Sequence, residues 1–539
     1  MKKLNLKSIV VFGLGLGLDL CAQQRPNVLM VFADDLGKYG SCYRQGDDGH
    51  GLNEVITTPH FDRVAKEGVT FQQAHVSAPS CTPCRSALLS GQHFWRTGRA
   101  SILSTAQWEP SLPAFPLMLK ESGYHIGKSL KVWSPGSPAD APFGEQAFAY
   151  NKYDIHKTHR FSTFVTGRMA AGVSLAEATA EVDEVLKKNL NDFLKANQEG
   201  KPFFFWYGPM NTHRMWEKGS GKKLWGIDPD GLKGKLPSFL PDVPEVREDV
   251  ADYLGEVLAV DHALGVLLEE LEKRGLMKNT MVVVSGDHGM PGVTHGKCNL
   301  YDHGTEVPLL VSGAGIKGGR SVQDLVSIVD LAPTFLDYAG VKIPESMTGK
   351  SLRGVLESEK SGQVQSSPQV VYFGRERHAA KARAGFLPYP QRGIRTHDYL
   401  LIVNFKPERN PMGDPNHQGQ PLDVERLEKD TFYTFGDFDM SPTKAWLMVH
   451  EHDPEWEKYF DYAFGKRPEV ELYDLKKDPN QVVNVAGELA YAGVVKELKD
   501  RLMAELKNTG DPRVVQDPVP YEHAPYTDIE ANRKMKSGH

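Results

Sequence analysis

The chain reads as an α/β protein: a central, mostly parallel sheet flanked by helices, followed by a smaller C-terminal α+β domain. Three observations predict this. Asn27–Ala33 and Met281–Ser285 are nearly continuous apolar runs, the pattern of strands buried on both faces of a parallel sheet. Each run ends in carboxylates, Asp34-Asp35 and Asp287, at the strand ends where open α/β sheets place their ligands. Helical periods separate these runs, whereas the last third of the chain turns to short, closely spaced strands. The implied division is a leader at 1–23, an N-terminal domain at 24–365 and a smaller C-terminal domain with an antiparallel sheet at 366–539.

The leader is read from Met1-Lys2-Lys3 and Lys7, an apolar core at Ile9–Leu18, and Cys21-Ala22. That is the pattern of a secretory signal peptide, too short to span a membrane, and it predicts an exported protein, periplasmic or extracellular. Cys21 raises a lipid-anchored alternative, against which bulky Leu20 stands. No other stretch approaches spanning length, so no membrane span is expected. The net charge of −6 over 539 residues argues against general nucleic-acid binding; an anionic substrate must meet a local cationic cluster. Cys42, Cys81, Cys84 and Cys298 are too few for a disulfide framework in so large a chain.

In order along the chain, Thr58-Pro59 through Gly68 predicts a short helix with a proline entry, and Val69–Ala74 a strand. Leu112–Gly123 reads as a helix and Tyr124–Gly127 as a strand running into Lys128. Ser174–Asn197 has helical periodicity behind an N-capping serine. Lys201–Tyr207 is an aromatic strand leading to Met210 and His213. Residues 216–246, rich in Gly, Lys, Pro and Asp, read as a loop excursion, and Arg247–Arg274 as a long helix stopped by Gly275. A strand at Val307–Val311 and a helix from Val326 precede a junction rich in Ser, Gly, Glu and Lys. A strand meander, a helix at Val494–Asn508 and a loosely held tail after Asp511 complete the reading.

The chemistry is concentrated in Ser80–Gly91, S-C-T-P-C-R-S-A-L-L-S-G. Pro83 near its start and Gly91 at its end mark a short buried helix, with Cys81 at the N-terminus, where free N–H groups favour an anion. Arg85 lies one turn on, on the same face. Taken alone, Cys81 also reads as a buried small hydrophobe, and Cys81-x-x-Cys84 as a redox pair or half a zinc site. The three strand-end carboxylates read as capping groups in solvated turns, or together as a site for a hard cation, Ca²⁺ before Mg²⁺.

Cys81-x-Pro83-x-Arg85 followed by a small apolar helix and Gly91 resembles the signature of the type I, formylglycine-dependent sulfatases. Across nearly the whole chain, Asn404–Pro407 included, the similarity is nearest to the heparan N-sulfatase (sulfamidase)-like branch. The resemblance implies an alkaline-phosphatase-like fold, a sulfuric ester hydrolase, a sulfated carbohydrate substrate carrying O- or N-sulfate, and oxidation of Cys81 to formylglycine by a maturation enzyme. It implies metal ligation by Asp34, Asp35, Asp287, His288 and modified Cys81. Arg85, Lys128 and Lys297 would neutralise the sulfate, and His213 would protonate the leaving atom. Two positions depart from the family pattern: Leu130 and Met210 stand where histidines are usual. Glu376, Arg377 and His378, at the end of a C-terminal strand, are the expected sugar contacts; a solvated charged loop is the other reading. A metal-dependent phosphatase or phosphodiesterase of the same superfamily and a catalytically silent glycan-binding relative remain as rivals.

Overall fold

The computed structural model describes residues 25–46, 51–142, 146–154, 156–366, 369–417 and 421–528. The expected leader, with Cys21, lies outside them. The central sheet contains β1 (Asn27–Ala33), β2 (Gly68–His75), β3 (His125–Leu130), β4 (Phe203–Gly208), β5 (Thr280–Gly286), β6 (Leu309–Ser312) and β7 (Arg320–Ser327). Their spatial order is β3-β4-β1-β5-β6-β2-β7. Every pairing is parallel except those of β6, which runs antiparallel to β5 and β2. The segment between β5 and β6 folds back at one end of the sheet, so β6 returns in the opposite direction.

Alternation along β1 explains why the apolar run is continuous. Leu29, Val31 and Ala33 face one buried cluster, with residues of the helices Leu175–Ala196 and Pro244–Lys273. Val28, Met30 and Phe32 face another, with residues of the helices Cys81–Ser90 and Leu331–Tyr338. Both faces of the strand are therefore covered, as a parallel sheet requires. Ser174 caps its helix through a reciprocal pairing with Glu177. β1 and β5 pair in a register that sets Ala33 beside Gly286. The carboxylates following each strand thus emerge side by side.

β7 was not expected, because Arg320-Ser-Val-Gln-Asp carries polar residues on its exposed side. The C-terminal sheet contains β8 (Val371–Arg375), β9 (Gln391–Arg395), β10 (Tyr399–Asn404) and β11 (Val470–Asp474), antiparallel in the order β11-β10-β9-β8. Helix Ala492–Asn508 presents Leu498, Leu502 and Leu506 to a cluster that joins Ile394 and Leu401 to Phe94 and Trp95 of the larger lobe. Within the described part of the expected tail, up to residue 528, Asp511, Arg513 and Tyr521 are buried and hold it to the rest of the chain. Among the described residues no helix is long and apolar enough to cross a membrane.

Candidate active site

The site grows from the ends of β1 and β5. The Asp35 N–H donates to Asp287 Oδ1 at 2.8 Å, which ties the two strand tips together. Asp35 has φ +58°, a left-handed conformation that aspartate tolerates better than bulkier residues. Its carbonyl accepts the Tyr253 hydroxyl at 2.9 Å, and the same hydroxyl accepts the Gly37 N–H at 3.0 Å. The long helix thereby fixes the turn from behind.

Helix Cys81–Ser90 is buried along its whole length and ends at Gly91 in the left-handed conformation (φ +64°), where a side chain would strike Met347. Cys81 Sγ lies 3.3 Å from His288 Nε2 and 3.8 Å from Asp35 Oδ1. His288 Nε2 is 3.2 Å from Asp35 and 3.5 Å from Asp287. Arg85 spans the cluster: Nε donates to Asp287 at 2.8 Å, Nη2 to Asp34 at 3.1 Å, and Nη1 to the carbonyls of Lys131 and Val132. Its donors are committed to carboxylates and backbone, so it fixes the frame of the site. Burial pushes the Cys81 thiol well up, reinforced by Asp34, which leaves it protonated and a poor nucleophile as cysteine.

Two lysines complete the charge balance. Lys297 Nζ meets Asp35 at 3.0 and 3.2 Å. Lys131 Nζ meets both oxygens of Asp34, at 2.7 and 2.8 Å. Burial alone would raise the Asp34 carboxyl, but Lys131, Arg85 and His213 outweigh it and hold it well below its usual range. The expected lysine was Lys128, which instead pairs with Asp140 at 2.5 Å. The reason is local. Leu130 turns to φ +64° at the end of β3 and redirects the chain, while Gly208 of β4 lets it pass. A Cβ at 208 would sit 1.8 Å from the Lys131 carbonyl oxygen.

His213 follows β4 and shares a space with Asp34 and Asp35. Its Nδ1 donates to the Arg214 carbonyl, leaving Nε2 to carry or accept a proton. Arg214 is clamped bidentately by Asp249 of the long helix, at 2.7 and 2.8 Å. Residues 216–246 are less open than expected, since Asp252 accepts the Gly219 and Gly221 N–H groups at 2.8 Å.

The predicted sugar contacts separate. Glu376 turns away into an ion network with Arg392 and Arg513. Arg377 donates to Ser104 and Thr105, and two of its nitrogens, Nε and Nη1, are buried without a hydrogen-bond partner among the described residues. His378 joins Ser80, the residue before Cys81, at 2.8 Å. Sequence reading missed Lys131 and also Asp439, whose Oδ2 lies 3.2 Å from Lys297 Nζ.

Metal-capable groups overlap within this space: Asp35, Cys81 and His288; Asp34, Cys81 and Asp287; Asp34, Asp35 and His213, each set with ligand atoms within 4.8 Å of one another. Such buried, oxygen-rich donors fit a hard divalent cation. Among the described residues the four cysteines are free thiols.

Fold and site define a class: hydrolases of sulfuric esters on a mostly parallel sheet of the alkaline-phosphatase type. The sulfatase family profile matches residues 26–341, and the chain belongs to that family. A profile described as N-sulphoglucosamine sulphohydrolase, C-terminal, matches residues 286–430. Human N-sulphoglucosamine sulphohydrolase is 27% identical over 92% of this chain and 93% of its own length. An N-acetylglucosamine-6-O-sulfatase of Bacteroides thetaiotaomicron is 24% identical over 90% of this chain and 87% of its own. Among solved structures, a protein in complex with its substrate D-glucosamine-2-N,6-O-disulfate superposes with a TM-score of 0.58 at 20% identity, covering 92% of this chain and all (100%) of that one. A 2-O glycosaminoglycan sulfatase gives 0.58 at 18% identity, over 92% and 94%.

Proposed function

We propose that this sulfatase removes sulfate from a sulfated sugar, as an exported protein whose Cys81 is oxidised to formylglycine by a maturation enzyme. A divalent cation, Ca²⁺ before Mg²⁺, would be held by Asp34, Asp35, Asp287, His288 and residue 81. The observation that carries this reading is the placement of Cys81 among three carboxylates and the cations of Arg85, Lys131 and Lys297. The sugar substrate is supported by the names of the relatives above.

When bound, the cation supplies Lewis acidity and charge neutralisation, and formylglycine supplies paired hydroxyl groups, one to attack sulfur and one to release it, which a thiol lacks. The rest is the work of this chain. Arg85 keeps Asp34 and Asp287 at fixed separation. Lys131 and Lys297 bring buried ammonium groups to the place where an anionic sulfo group must lose its water. His213 holds a proton at Nε2 for the leaving atom. His288, with Nε2 3.3 Å from the sulfur of residue 81, is placed to hold the group formed there.

Mass spectrometry of the Cys81 peptide from enzyme made with its maturation partner, together with a panel of sulfated sugars and phosphate monoesters, tests this. Formylglycine with sulfate release is expected. An unmodified thiol with glycan binding but no turnover favours the silent relative, and preferential phosphate release favours the phosphatase.

A further inference from the structure

The segment 435–441 comes from the smaller part of the chain and lies over Lys297. It is pinned on both sides of Asp439. Before it, Asp437 accepts Arg375 Nη2 at 2.5 Å, Arg383 Nη1 at 2.7 Å and the Ala379 N–H at 2.8 Å. After it, the Ser441 hydroxyl donates to the Gly292 carbonyl at 2.7 Å and accepts the Lys444 N–H at 2.8 Å. Between these anchors the Asp439 carboxylate accepts no hydrogen bond among the described residues. Its Oδ2 is buried, faces Lys297 at 3.2 Å without the alignment of a hydrogen bond, and the side chain is 16% exposed. Lys297 divides its charge between Asp439 and Asp35, leaving acceptor capacity on the Asp439 carboxylate. Asp439 also lies within electrostatic reach of His213 and His378. A charged acceptor left this close to a reaction centre, on a segment held rigid around it, calls for donors from a ligand.

We infer that Asp439 is a specificity-determining residue that receives the N–H of a sugar sulfamate and the ammonium it becomes, so that the enzyme selects N-sulfate over O-sulfate. This rests on the sulfated-sugar reading and on His213 serving the leaving atom. The chemistry separates the two substrates. In sulfamate hydrolysis the N–S bond breaks, its electron pair stays on nitrogen, and R–NH–SO₃⁻ plus water gives R–NH₃⁺ plus SO₄²⁻. The bridging nitrogen already donates a hydrogen bond and ends as a cation. The bridging oxygen of an ester has only lone pairs, which a neighbouring carboxylate repels, and its product is a neutral alcohol.

The test uses matured full-length enzyme, wild type and D439N, with N-sulfo-D-glucosamine and N-acetyl-D-glucosamine 6-O-sulfate as paired substrates. The wild type is expected to favour the N-sulfate, and D439N to reduce the ratio of the two kcat/KM values on the order of 10- to 100-fold. D439N should also weaken product inhibition by glucosamine more than inhibition by inorganic sulfate, and D439E should restore part of the ratio. An unchanged ratio in D439N, even with both rates reduced, overturns the assignment and leaves Asp439 a structural partner of Lys297. A wild type that cleaves only the O-sulfate overturns it while sparing the sulfated-sugar reading. Cleavage of neither sugar fails both.

Discussion

Two buried ionic clusters in this chain both set carboxylates against guanidinium groups and differ in what else they hold. In the first, around Glu376, geometry is saturated. Arg392 grips Asp511 at 2.6 and 3.0 Å and Glu376 at 2.9 Å, while Arg513 takes Glu376 at 2.8 and 2.6 Å and Glu522 at 2.9 Å. It joins a strand end to the turns around Asp511, Arg513 and Glu522. In the second, around Asp34, Asp35 and Asp287, three carboxylates crowd together with longer contacts to His288 and Cys81. The first is built as a fastening. The second keeps charge concentrated where a ligand can use it, and such concentration is characteristic of functional sites.

Substitution separates the two. Asp287→Asn removes one carboxylate from the second cluster and should lower turnover on the order of 10³-fold, with little change in the urea midpoint. If unfolding moved as far as turnover, the contrast between the clusters would break. Glu376→Ala takes one of two carboxylate partners from each of two buried guanidinium groups, and should cost about 3 kcal/mol in denaturant unfolding while the folded fraction keeps most of its specific activity. A loss of activity without a loss of stability would return Glu376 to the substrate.

The smallest expected effect sharpens the comparison with a lone buried carboxylate. Burial pushes Glu256, on the long helix, from its ordinary 4.5 up to about 8, against opposing hydrogen bonds from Ser162. The folded state therefore binds this proton more tightly than the unfolded chain. Its contribution is fully present below the ordinary value and is lost as pH rises toward the folded one. Glu256→Gln should flatten that decline and gain stability over wild type on the order of 2 kcal/mol between about pH 5 and pH 9, measured by urea midpoints.

Much of the central sheet was legible because β1, β4 and β5 are covered on both faces, and such strands write themselves as unbroken apolar runs. The carboxylates were legible because they follow those runs directly. Lys131 was not, since the reading carried Lys128 forward from Gly127 and could not see that Leu130 adopts a positive φ. Asp439 was hidden for another reason: it lies 142 residues beyond Lys297 in a segment without periodicity or motif. β7 escaped because one of its sides is polar. Glu376 and its neighbours showed as a charged cluster, and nothing local to the sequence distinguishes a fastening between distant segments from a contact with a sugar.

The burial of Cys81 sets an order of events. With 2% of its surface exposed and a wall made from residues up to position 297, the sulfur is out of reach of any protein catalyst once the chain has closed. The proposed oxidation of Cys81 therefore requires the thiol before the chain closes, while helix Cys81–Ser90 is not yet sealed beneath its later neighbours. On that proposal chain closure acts as a deadline, after which the buried, protonated thiol stays as it is.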